Sequence, residues 1–244
     1  MDVSVKLDTS KFDKASAELK KQLPYASSVA LNNVAFRIRG EERAAIGRIF
    51  VNPAKLTLNS VLVKKATKRT GVAKVFIRDQ APNGTAPSEY LATSVIGENR
   101  IDKRFERALR HAGLLPSGMY VVHGKEARLN KHGNISVATY KKILAELRAN
   151  SGAKKSGADG VNGTKSKYFV GKVNGKRNKQ WYGVWKRAGG KRNPTAKPIL
   201  IFLKGRPNYR QRFPFVGIAQ GIARRHLPIE LDKAMDHAIK TSKR

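Results

Sequence analysis

Two histidines stand in glycine-flanked stretches, His123 in His-Gly-Lys and His132 in Lys-His-Gly-Asn. The setting superficially resembles a nuclease loop, where an imidazole ligates a metal ion or moves a proton. Their spacing fits no common metal motif and no acidic pair accompanies them, so a turn or surface position accounts for them better. The other histidines are His111, His226 and His237. Among carboxylates, Glu41 and Glu42 fall on a predicted helix beside Arg39 and Arg43, which points to ion pairing on a helix surface. Glu230 and Asp232 fall early in a predicted last helix, where negative charge meets the helix dipole favourably. Gly157, Gly160 and Gly163 precede Thr164 and Lys165 without the Gly-Lys-Ser/Thr order or preceding strand of a phosphate-binding loop. The chain has no cysteine, which excludes disulfides, thiolate zinc sites and cysteine nucleophiles. No Ser/His/Asp order is defensible, so the chain reads as non-enzymatic, with no cofactor and no metal.

What the sequence does carry is charge. Lys and Arg number 50 against 17 Asp and Glu, a formal net charge of +33. A compact state repels itself at such a charge, which is normally retained because a polyanion or acidic partner sits opposite. From Gly160 to Ile229 there is no Asp or Glu, yet seventeen Lys and Arg occur. The candidate contacts in this block are Lys172, Lys176, Arg177, Lys179, Lys186, Arg187, Lys191, Arg192, Arg206, Arg210 and Arg212. They suit phosphate or an acidic neighbouring subunit, or are simply solvated. Tyr168, Phe169, Trp181, Tyr182, Trp185, Phe202, Tyr209, Phe213 and Phe215 interleave with them. Aromatics beside arginine serve as base-stacking platforms in some proteins, but in predicted strands core or cross-strand packing is the preferred reading. No zinc finger or RNA-recognition motif supports sequence-specific readout.

The elements that must position these groups follow from periodicity. Val3, Val5 and Leu7 alternate as a short half-buried strand. Ser10 then caps a helix carrying Phe12, Ala15, Leu19 and Leu23, and Pro24 opens a second helix with Val29, Leu31, Val34, Ile38 and Ile46 on one stripe, giving an αα pair. Asn52-Pro53 ends it. Val61 to Val63 and Val72 to Ile77 form a hairpin around a basic turn at Lys68 to Gly71, and Asp79 to Ser88 is an exposed loop. A helix runs from Arg104 to Ala112 and is closed by Gly113; Leu114 to Gly133 is irregular; Ser136 caps an amphipathic helix that ends near Asn150. Strands at Lys167 to Val173, Gln180 to Arg187 and Pro198 to Leu203 precede terminal helices at Phe215 to Arg225 and Pro228 to Lys240.

The expected fold is therefore α+β, with an N-terminal helical pair, antiparallel β-hairpins in the middle and C-terminal helices. The expected organisation is a 1–150 portion, a flexible basic linker at 151–166 rich in Gly, Ser, Ala, Lys and Asn, and a 167–244 portion, together one composite domain. No apolar run approaches the ~18–20 residues of a membrane-spanning helix. The N-terminus lacks a basic region followed by an apolar stretch, so synthesis in a cytoplasm is expected.

Four stretches carry a family resemblance: Val51 to Lys68 (VNPAKLTLNSVLVKKATK), Arg104 to Val122 (RFERALRHAGLLPSGMYVV), Gly183 to Phe202 (GVWKRAGGKRNPTAKPILIF) and Leu227 to Lys240 (LPIELDKAMDHAIK). In this order the chain resembles the minor tail protein Z and tail-completion group of lambda-like tailed bacteriophages and prophages. The resemblance implies a virion protein of the tail or neck, made in the bacterial host cytoplasm and joining a homo-oligomeric ring at the head-proximal end of the tail. It further implies neighbours among tail-terminator, tail-tube and neck or connector proteins, closeness to packaged DNA, and no catalytic role. The alternative is a general nucleic-acid-binding protein without sequence specificity.

Overall fold

A stripe of residues closed to solvent, Leu31, Val34, Ala35, Ile38, Ala45 and Ile46, runs along the first long helix and sets the architecture around it. The structure, a computed structural model, describes all residues except 7–16, 82–83, 98–100, 148–166, 175–179, 191, 206–207 and 243–244. In chain order the elements are β1 (Asp2–Lys6), α1 (Ala17–Ile49), α2 (Lys55–Leu58), β2 (Val61–Lys64), β3 (Val72–Ile77), α3 (Pro87–Ile96), α4 (Arg104–His111), β4 (Met119–His123), α5 (Val137–Glu146), β5 (Tyr168–Asn174), β6 (Gln180–Ala188), β7 (Thr195–Lys204) and α6 (Phe215–Ser242). The fold is α+β: α1 packs on α6, and two antiparallel sheets lie between them in sequence. The described residues form two units, 1–98 with 209–244, and 99–208. The 151–166 segment, expected to be the linker, lies outside the described residues.

In the first unit the predicted hairpin is present, and β1 joins it to give the order β1-β3-β2. Val3 pairs with Val75, which pairs with Val63, while Val5 meets Ala73 and Val61 meets Ile77. This alternation sends one apolar face toward α1, in a core completed by Leu91, Val95, Phe213, Phe215 and Ala219. The opposite face carries the rows Ser4–Lys74–Lys64 and Asp2–Phe76–Leu62.

The expected helical pairs are corrected. The first is one 33-residue helix with Pro24 inside it, and the two terminal segments are one 28-residue helix with Pro228 inside it. A proline removes one hydrogen bond and clashes with the preceding turn, at about 3 kcal/mol. Here both prolines are exposed, and the apolar stripe continues through each. On α6 it runs Phe215, Ala219, Ala223, Leu227, Leu231, Ala234 and Ala238, with Leu231, Ala234 and Ala238 packing against Ala26 and Ala30 of α1. Burial of one continuous face outweighs the local loss. The Ser10 cap, Phe12 and Ala15 lie outside the described residues.

Three elements were not expected from sequence, the single-turn α2 among them. The loop expected over Asp79 to Ser88 gives way at Pro87 to α3, which has proline in its first turn and ends at Gly97 with a φ of 81°. The region expected to be irregular contains β4, an edge strand of the second unit's sheet, whose order is β4-β7-β6-β5. The Ser136 cap is present, its Oγ accepting the Thr139 N–H at 3.1 Å, and Gly113 follows α4 with a φ of 66°. Phe105 and Leu109 from α4, Ile143 and Leu144 from α5, and Leu147 just after it cover the sheet residues Val121, Tyr168, Val170, Val184, Leu200 and Phe202. Gly183 must be glycine, because a Cβ there would overlap the Leu200 carbonyl on β7.

Candidate polyanion-contact surface

The acid-free block that is continuous in sequence is divided by the fold. Lys172, Lys186, Arg187 and Arg192 belong to the second unit, and Arg210 and Arg212 to the first. Lys176, Arg177, Lys179, Lys191 and Arg206 lie outside the described residues. Lys186 and Arg187 are consecutive on β6 and therefore project to opposite faces. Lys186 stands across from Lys197, and the Arg187 guanidinium lies 4.6 Å from the Phe169 ring centroid. Lys172 is exposed on edge strand β5 opposite Tyr182. Arg212 is exposed, its guanidinium 5.6 Å from the Phe50 centroid, and its backbone N–H donates to Ser94 O at 2.8 Å. Within the second unit Lys186 and Arg187 thus face opposite ways, and the block as a whole is shared between two units.

The aromatics follow the packing alternative in most places. Tyr168, Trp185, Phe202, Phe213 and Phe215 are buried, and the Trp185 indole donates to Gly171 O at 3.0 Å, lying across the neighbouring strand. Trp181 and Tyr209 remain exposed.

The histidine stretch is built as a turn. Asn130 Oδ1 accepts the N–H groups of His132 and Asn134 at 2.9 and 3.0 Å, and Gly133 takes a φ of 73°. His123 ends β4, exposed. No group of three or more His, Cys, Asp or Glu that could hold a metal occurs among the described residues.

The carboxylates depart from expectation. Glu41 is exposed, but Glu42 is fully buried, on the same face of α1 as Ile38, Ala45 and Ile46, and neither of its oxygens has a hydrogen-bond partner. Burial pushes its carboxyl up to about 8, so it is protonated at neutral pH. The expected helix-surface ion pair is thus corrected: position 42 faces inward because it continues the apolar stripe. Glu230 is not near a helix start but in the middle of α6, where Oε2 accepts Asn33 Nδ2 at 2.8 Å and links α6 to α1.

A second buried carboxylate organises the other unit. Glu106 Oε2 accepts Lys103 N–H at 2.8 Å and Oε1 accepts Val121 N–H at 2.7 Å, fastening the start of α4 to β4. One turn on, Arg110 reaches Asp102 Oδ2 at 2.9 Å, Pro116 O at 2.8 Å and Met119 O at 2.7 Å.

The most organised basic feature is the turn between β2 and β3. Asn32 on α1 holds Ala66 through both backbone groups: Oδ1 accepts Ala66 N–H at 2.7 Å and Nδ2 donates to Ala66 O at 3.0 Å. On either side of this clasp, Lys65 Nζ lies 5.5 Å from the Phe36 centroid and Lys68 Nζ 5.1 Å from that of Tyr25. The turn is closed by its own threonines, Thr67 N–H to Thr70 Oγ1 at 3.0 Å and Thr70 N–H to Thr67 Oγ1 at 3.1 Å, with Gly71 at a φ of 56°. Lys64 and Lys74 sit directly opposite one another in the strands that lead to it. Sequence reading placed a basic turn here but missed its anchor. The signal was Asn32 itself, a poor helix former inside a long helix.

No family model matches the chain, and neither a curated protein nor a solved structure does. No described helix is long and apolar enough to cross a membrane.

Proposed function

We propose that the chain is a structural component of a tailed bacteriophage particle, a tail-completion or neck protein that joins a homo-oligomeric ring at the head-proximal end of the tail. The observation that carries the reading is the order of the four stretches resembling the tail-completion group. Each coincides with folded elements rather than loops alone: Val51–Lys68 with α2, β2 and the clasped turn, Arg104–Val122 with α4 and β4, Gly183–Phe202 with most of β6 and of β7, and Leu227–Lys240 with the half of α6 that packs on Ala26 and Ala30 of α1. A net charge of +33 suits a subunit held beside packaged DNA or acidic neighbours, where repeated copies in a ring multiply the field. The test is proteomic. Purified infectious particles should contain the chain at low copy number, and its absence from complete particles would overturn the reading.

A second reading, a general nucleic-acid-binding protein, is favoured by the charge alone. On it, the chain coats nucleic acid in the cell and is not a particle component.

A further inference from the structure

We infer that the clasped β2–β3 turn is a preformed site for the phosphate backbone of duplex nucleic acid, with Lys65, Lys68 and Arg69 as its contacts and Tyr25 and Phe36 as the platforms that aim the lysines. This inference does not depend on the chain being a virion protein.

Lys64, Lys65, Lys68 and Arg69 have no carboxylate partner among the described residues; Asp2 compensates only Lys74, at 3.7 Å. Lys64 and Lys74, directly opposite in the sheet, repel one another, and of the two only Lys74 is offset, by Asp2. The turn is also ordered in advance. Ala66 is buried, its N–H and C=O are both held by Asn32, and the turn's threonines satisfy each other, so little chain entropy remains to be lost on binding.

The aromatic geometry selects among ligands. Tyr25 and Phe36 are 37% and 41% exposed and so are not core residues, but the ammonium groups of Lys68 and Lys65 already lie over their rings. Occupied ring faces do not stack on bases, whereas cation–π contact holds a lysine in a fixed direction. Tyr25 and Phe36 lie eleven residues apart on α1, about 16 Å at 1.5 Å per residue. A duplex presents a negative charge about every 1.7 Å along its axis, so a row of this length meets several phosphates at once. No base-reading group accompanies it, and the contact is independent of sequence.

The experiment compares three variants of the full chain by fluorescence anisotropy, with two duplexes of unrelated sequence, a single strand and polyglutamate as probes. All the substituted side chains are exposed, and matching thermal midpoints confirm folding. The wild type should bind both duplexes alike and more tightly than the single strand or polyglutamate. Lys65→Ala/Lys68→Ala/Arg69→Ala should weaken duplex binding at least about tenfold near 100 mM salt and reduce the log–log salt slope by about 2–3. Tyr25→Leu/Phe36→Leu, which changes no charge, should weaken binding several-fold with the slope unchanged. Lys125→Ala/Lys141→Ala/Lys142→Ala, equally charge-reducing but in the other unit, should have little effect. Equal losses from the two charge-reducing triples would show generic attraction and overturn the site. Tighter binding of polyglutamate than of duplex would overturn it in favour of an acidic protein partner, and tighter binding of the single strand would overturn the duplex assignment.

Discussion

Asn32 grips Ala66 by both backbone groups, its Oδ1 and Nδ2 standing 2.7 and 3.0 Å from the Ala66 nitrogen and oxygen. A helix side chain thereby behaves like one more strand, pairing with a turn 34 residues away. The clasp fixes where the chain leaves β2 and hence where Lys65 and Lys68 lie.

Asn32→Leu keeps the number and branching of side-chain heavy atoms but leaves the Ala66 N–H and C=O without their partner. A cost of about 1–3 kcal/mol is expected, read as a lower urea midpoint with an unchanged m-value. Limited trypsin digestion should show faster cleavage after Lys65, Lys68 and Arg69. Unchanged cleavage would mean that the turn holds its shape without the clasp.

Glu42 imposes a pH dependence whose sign is fixed. Its carboxyl rises from 4.5 to about 8 on folding, so the folded chain holds one more proton than the unfolded chain between those values. Its contribution to stability is fully present below 4.5 and is lost as the pH rises through about 8. The slope reaches at most about 1.4 kcal/mol per pH unit. Glu42→Gln abolishes the ionisation, so the stability difference, variant minus wild type, should grow across this window in denaturant melts. Parallel profiles would count against a buried carboxyl.

Glu106→Ala should be among the most damaging single changes in the second unit. It strips the acceptors from the Lys103 and Val121 N–H groups and opens a void, for about 2–4 kcal/mol. Glu106→Gln retains one acceptor and should lose roughly half as much. Hydrogen exchange at the Val121 amide reports the effect directly, and protection that survives in Glu106→Ala would contradict the role.

Pro228→Ala should stabilise the protein. The residue is exposed inside α6, and alanine restores an N–H donor and removes a ring clash, a gain of order 1–3 kcal/mol. A raised thermal midpoint is the expected readout, and a lowered one would show that α1 packs against a shape the proline creates.

Much of the fold was legible because its signals are local. The β-branched runs at Val61 to Val63 and Val72 to Ile77, either side of a basic turn, gave the hairpin, Ser136 marked the start of α5, and Asn52-Pro53 marked the end of α1. The misreadings share one cause, a local breaker weighed without the distant face that overrides it. Pro24 and Pro228 read as boundaries because nothing in their own neighbourhoods reveals that Ala26 and Ala30 will meet Leu231 and Ala234. Glu42 read as a surface charge for the same reason. β4 escaped notice because a short edge strand needs β7, some eighty positions away, to give it register. In the candidate surface, the run of cations was obvious, but strand alternation sends Lys186 and Arg187 to opposite faces, and the run is shared between two units. The site that is built depends on one asparagine whose partner no periodicity could name.

The discontinuity of the first unit has a consequence during synthesis. The ribosome makes α1 and its sheet first, and α6 emerges only after all of residues 99–208. At ~5–20 residues per second the wait is on the order of ten seconds, during which Leu31, Ile38 and Ile46 lack Phe215 and Ala219 as cover. A nascent chain in that interval is a natural client for a holding chaperone, and one that stalls before residue 215 stays open to proteolysis. The α1–α6 pairing thus acts as a checkpoint: the first unit closes only once the second has been translated.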